Sequence, residues 1–161
     1  MNVQKTLVKS QYNETSTNFD LLEIQEPVRW MGPFLNYSGF ASEMLNFLVP
    51  LLGRVNVGAT HSNPAYYSKN YHRELPCDFR HEVDQLLSRY NELNGGIAIA
   101  HGPVDTVLGM PDDSEFRVLR TMFETDRIAP FWVEIIKSVD EVWVPSKFNV
   151  ETFHRSGVAL E

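Results

Sequence analysis

The 161-residue chain is 43% hydrophobic and 22% charged, the proportions of one globular domain with room for a full core. Its formal net charge of -7 excludes the basic face that nucleic acid requires, and no run of Lys and Arg offers a site for anionic lipid. The lone cysteine, Cys77, cannot close an internal disulfide; it reads as a small half-buried residue, and the fold needs no oxidising compartment.

Residues 1–26 open with "MNVQKTLVKSQYNETSTNFD", polar and rich in Asn, Ser and Thr, and read as a flexible tail. The tail has no signal-peptide hydrophobic centre. Nowhere does the sequence approach the roughly 20 apolar residues of a membrane span. A cytoplasmic protein with no transmembrane segment is expected. The glycosylation-like strings Asn13-Glu14-Thr15 and Asn36-Tyr37-Ser38 therefore carry little weight.

From Pro27 strands and helices alternate. "PVRWMG" (27–32) is a short apolar strand closed by Gly32-Pro33, and "ASEMLNFLVPLL" has Ala41, Met44, Leu45, Leu48 and Leu52 at helical spacing. Pro50 kinks or ends that helix, because it lacks an N–H. "VNVGATHS" (55–62) alternates as a strand, and 63–78 reads as a long irregular connection. The next helix carries Val83, Leu86, Leu87, Tyr90 and Leu93 and stops at Gly95-Gly96. "IAIAHGP" is the continuous apolar run of a strand covered on both faces. After the loop "VDTVLGMPDDSE" come a strand "FRVLRTMFETD", a helix opened by Pro130, the strand "DEVWVPS" and a helix capped by Ser146.

This alternation predicts an α/β domain over 27–161, a doubly wound parallel sheet of Rossmann-like type. The expected strand order is 3-2-1-4-5, with 27–32 central. Ligands of such sheets bind beyond the carboxyl ends of the strands. There lie Gly32–Gly39, Thr60–Asn63, His101–Pro103, Glu124–Arg127 and Pro145–Lys147.

Each candidate has a structural alternative. Ser38-Gly39 leads into a helix whose free N–H groups favour an anion such as a diphosphate, or it is a plain strand-to-helix turn. His101 could bond a sugar hydroxyl or relay a proton, or be tied to a neighbouring loop; His61 shares the placement. Glu124 could act as a base toward a hydroxyl, with Asp126 and Arg127 beside it. The alternatives there are an ion pair of Glu124 with Arg127 or Arg120, and Asp126 as a helix cap. A metal site from His61, His101, Glu124 and Asp126 lacks HxxH or HxxE spacing, so neither metal nor cofactor is expected. His72, His81 and His154 read as surface residues, and Trp132, Trp143, Phe148 and Phe153 as core.

"RTMFETDRIAPFWVEIIKSVDEVWVPSKFNVETFHRSGV" resembles a segment of retaining glycosyltransferases of the large GT-B group, family 4. These carry a strand, a helix, then "D-x-V-W-V-P-S-x-F-N" and "F-x-x-S-G-V". "GPFLNYSGFASEMLNFL" is similar to the family's first strand-loop-helix. The resemblance covers about residues 27–158 and implies the N-terminal, acceptor-side half of a GT-B enzyme, with a nucleotide-sugar donor and a carbohydrate or other hydroxyl acceptor.

By the same pattern Ser38 and Gly39 face the donor phosphates, and Glu124 and His101 are the catalytic candidates. His61, Asp126, Arg127, Ser146 and Lys147 line the cleft. Glu124 stands where many relatives have histidine. The family's donor-binding domain, with its E-x7-E signature, would follow "SGV", so a truncated chain, inactive alone, is expected. Its cleft face should show Phe34, Tyr37 and Phe40 to water and favour self-association. Two other readings stand beside this one: a free-standing, non-catalytic ligand- or partner-binding module, and an unrelated small doubly wound enzyme, against which the sequence has no G-x-S-x-G elbow.

Overall fold

A computed structural model describes residues 26–63 and 67–158. Nearly all of the expected tail, with Asn13, lies outside them. Five strands form one parallel sheet: β1 (Val28–Gly32), β2 (Val57–His61), β3 (Ile97–His101), β4 (Phe116–Arg120) and β5 (Glu141–Trp143). The helices are α1 (Gly39–Leu51), α2 (Lys69–Glu74), α3 (Cys77–Tyr90), α4 (Pro130–Ile136) and α5 (Lys147–Arg155), with a 3-10 helix over Val104–Gly109.

The sheet order is β2-β1-β3-β4-β5, not 3-2-1-4-5, and β3 rather than β1 is central. The cause lies in two close backbone approaches that bracket the β1–β3 pairing. A Cβ on Gly32 would collide with the His101 carbonyl oxygen, and one on Gly96 with that of Pro27. Ile97 N–H also donates to the Pro27 carbonyl at 2.8 Å. Chain direction along the sheet therefore reverses between β1 and β3, which makes their carboxyl ends the topological switch point.

Strand alternation gives the sheet two faces. On one, Trp30, Ala59, Ile99 and Val118 belong to one apolar cluster with Met44, Leu45 and Leu48 of α1. On the other, Met31, Ala98, Ala100 and Leu119 meet the 3-10 helix, α4 and Phe153 of α5. α3 runs along β2, its backbone at Tyr90 stacked over Gly58. The domain is thus a doubly wound α/β sheet with helices on both faces. Among the described residues no helix is long and apolar enough to cross a membrane.

Several local expectations are corrected. The connection 63–78 contains α2, capped by Ser68, whose hydroxyl accepts from Tyr71 N–H. α3 ends at Tyr90, before the Gly95-Gly96 pair, and "VDTVLG" is a 3-10 turn that buries Val104 and Val107. β4 stops at Arg120, well short of Asp126. Cys77 is exposed, and Trp143 and Phe148 are exposed rather than core, whereas Phe153 is fully buried. Pro50 falls in the last turn of α1, and the helix ends one residue later at Leu51, since a proline without an N–H crowds the preceding turn.

Candidate functional site

β3 and β4 end in register, His101 opposite Arg120, with both side chains on the α1 face. One turn into α1, Glu43 reaches across to both. His101 Nε2 lies 2.8 Å from Glu43 Oε2, and Arg120 Nη2 donates to Glu43 Oε1. Arg120 Nη1 also donates to the Thr121 carbonyl at 3.1 Å and the Trp143 carbonyl at 3.4 Å. His101 is fully buried, Arg120 nearly so, and Glu43 is the member that water reaches.

An aromatic wall surrounds the imidazole. Trp30 and Phe40 stand with ring centroids 6.0 Å from it, Phe40 edge-on, and Phe47 at 6.2 Å. Burial pushes the His101 pKa below its ordinary value. The Glu43 hydrogen bond and charge oppose this, and the Arg120 charge adds to it.

A buried histidine kept neutral makes stability pH-dependent. Above the ordinary value of 6.5 folded and unfolded states are both neutral at His101; below it the unfolded chain binds the proton first, so stability falls as pH falls. His61, also depressed chiefly by burial, acts in the same direction. Melting temperature should therefore drop between pH 7 and pH 5, and the drop should shrink in His101→Gln. An unchanged slope in that variant would remove His101 from the titration.

The Ser38 hydroxyl accepts from Ala41 N–H and caps α1. Gly39 is the first residue of α1, and a Cβ there would meet nothing within 4 Å, so no packing of this chain demands glycine. Phe34 is fully buried rather than exposed, Phe40 is half-buried, and Tyr37 is exposed with its hydroxyl donating to Glu74 at 2.7 Å. His61 sits half-buried on β2 between the rings of Phe34 and Tyr67.

Glu124, Asp126 and Arg127 are exposed on the loop after β4, where none of their side chains makes a hydrogen bond or ion pair among the described residues. α5 holds this loop: Asn149 Nδ2 donates to the Phe123 carbonyl at 2.6 Å, and Ser156 Oγ accepts from Ile128 N–H at 2.9 Å. Asp126 does not cap α4, whose N-cap is Ala129 with no side-chain bond. Arg120 pairs with Glu43, not Glu124. Ser146 caps α5 by accepting from Asn149 N–H, and Lys147 is exposed beside it. No three His, Cys, Asp or Glu side chains among the described residues are grouped to hold a metal ion.

Of the cluster, Glu43 is absent from the sequence-derived candidates, and Arg120 enters them only as an ion-pair partner for Glu124. Alternation of Phe116, Val118 and Arg120 is the signal that could have found the latter, since it places a cation on an apolar sheet face, where a buried charge demands a partner.

Of the three side chains expected at the surface only Tyr37 is exposed, and a larger apolar surface lies elsewhere. Beyond α1 no described residue covers the sheet face, which forms a groove of about 420 Å³ floored by Trp30, Ile99 and Val118 and edged by Phe47, Phe116 and Trp143. Comparisons with protein-family models, with curated proteins and with solved structures find no significant match.

Proposed function

We propose that the chain is the acceptor-side domain of a retaining glycosyltransferase, positioning a hydroxyl acceptor while a second domain holds the nucleotide-sugar donor. The observation that carries this reading is the convergence, at the β1/β3 switch point, of an unobstructed helix start at Gly39 and the His101–Glu43–Arg120 cluster. The helix start suits a diphosphate, and the cluster suits hydroxyl groups. The "DEVWVPSKFN" resemblance adds the reaction class. Glu124, Asp126, Arg127, Ser146 and Lys147 belong to the loops on the β4–β5 side of the same sheet end.

Retaining transfer needs groups that stabilise charge on the leaving diphosphate, and in this reading most of them belong to the donor domain. The purified 161-residue chain should therefore transfer no sugar from UDP- or GDP-sugars. It should still bind acceptors: methyl glycosides titrated into the ¹⁵N-labelled chain should move the amides of Gly39 and His101. Turnover by the chain alone, or glycosides that leave those amides still, would overturn the reading.

The open groove favours a second reading, a non-catalytic module that binds a partner across its sheet face. Shifts confined to Trp30, Phe116 and Trp143 as protein concentration rises, with no response to glycosides, would select it.

A further inference from the structure

We propose that Glu43 is a positioning residue that locks His101 in its Nε2–H tautomer, leaving Nδ1 to accept a hydrogen bond from a ligand hydroxyl. This assignment rests on the acceptor-side reading and goes beyond it by naming the atom and the residue that sets it.

A carboxylate can only accept, so His101 Nε2, 2.8 Å from Glu43 Oε2, must donate. Arg120 takes the other oxygen and keeps the carboxylate from rotating away. In the neutral ring the remaining nitrogen then carries a lone pair. Nδ1 is buried and has no hydrogen-bond partner among the described residues. A buried acceptor left unmatched is costly, so a partner of the donor type is called for.

Charge selects the class of partner. Glu43 and Arg120 cancel, and burial favours neutral His101, so the cluster has no net charge to draw a phosphate. A neutral hydroxyl fits; an anion does not. Phe40, edge-on to the imidazole at 6.0 Å, is half-buried, whereas Trp30 is almost fully buried.

Long-range ¹H–¹⁵N spectra of the histidine side chains in the intact chain test the lock directly. At neutral pH the His101 signals, assigned by their loss in His101→Gln, should show a protonated Nε2 and an unprotonated Nδ1. The opposite tautomer in the wild-type chain would overturn the proposal without any variant. Glu43→Gln should give a tautomer mixture; a folded variant with the tautomer unchanged would remove Glu43 from the role.

The ligand arm uses methyl glucoside, methyl galactoside and methyl mannoside, with inorganic phosphate as the anionic control. At least one glycoside should move the Nδ1 resonance, and phosphate should not. Glycoside shifts at Gly39 without any at Nδ1 would refute this inference and spare the acceptor-side reading. An Nδ1 response in a protein that never supports transfer with a donor domain would do the reverse.

Discussion

Glu43→Ala should destabilise the domain by about 3 kcal/mol, read as a loss in urea unfolding free energy at constant slope. Removing the carboxylate strands Arg120, whose side chain is 8% exposed, and leaves His101 Nε2–H without its acceptor. Breaking a buried pair from one side costs about 3–5 kcal/mol, and the lower end applies because 32% of the Glu43 side chain remains in water. The apolar double variant Glu43→Leu/Arg120→Met should recover most of the loss, since the penalty belongs to the orphaned cation rather than to a missing attraction. A loss below about 0.5 kcal/mol in the single variant, the range of an ordinary surface change, would show that the cluster contributes nothing to stability.

Gly58→Ala should cost about 1–2 kcal/mol net, although the exchange removes a flexible residue from the unfolded chain. That entropic gain is worth about 0.4–1 kcal/mol. Against it, a Cβ on Gly58 would lie 2.5 Å from Tyr90 N and 2.6 Å from Tyr90 Cα. These are backbone atoms at the end of α3 and cannot rotate aside, so the helix must lift from β2, and overpacking of this kind costs about 1–3 kcal/mol. Gly39→Ala is the matched control: nothing lies within 4 Å of the new methyl, and stability should hold or rise slightly. Thermal melts of the two variants side by side decide it. Equal melting temperatures would mean that α3 does not sit against β2 as described.

The strand–helix alternation is legible because each strand is a short apolar run between breakers and each long helix shows its stripe. "IAIAH" and "VRWMG" need no tertiary information to be read as covered strands. Their adjacency is another matter. Either neighbour of β1 satisfies the same pattern, and the choice rests on how closely two backbones approach at Gly32 and Gly96, which spacing does not encode. His101 stands out by its place at a strand end. Its partner does not: helical periodicity assigns Glu43 to a position beside the apolar stripe of α1 but says nothing of which strands lie across from it. Glu124 attracts attention through a strand that in fact stops at Arg120, because "TMFETD" keeps an extended-looking composition while α5 holds it as a loop.

The bond between Glu43 and Arg120 spans 77 residues, and that between Glu43 and His101 spans 58. Closing such separations is slow, because chain entropy must be spent before the contact returns anything. The charged side of the first helix is completed in two stages along the chain, by His101 at the end of β3 and then by Arg120 at the end of β4. A ribosome-bound chain that ends between residues 101 and 120 would offer Glu43 its His101 partner but not Arg120, so the second carboxylate oxygen would remain unmatched until β4 is made. One carboxylate on the first helix thus ties together three segments that lie far apart along the chain.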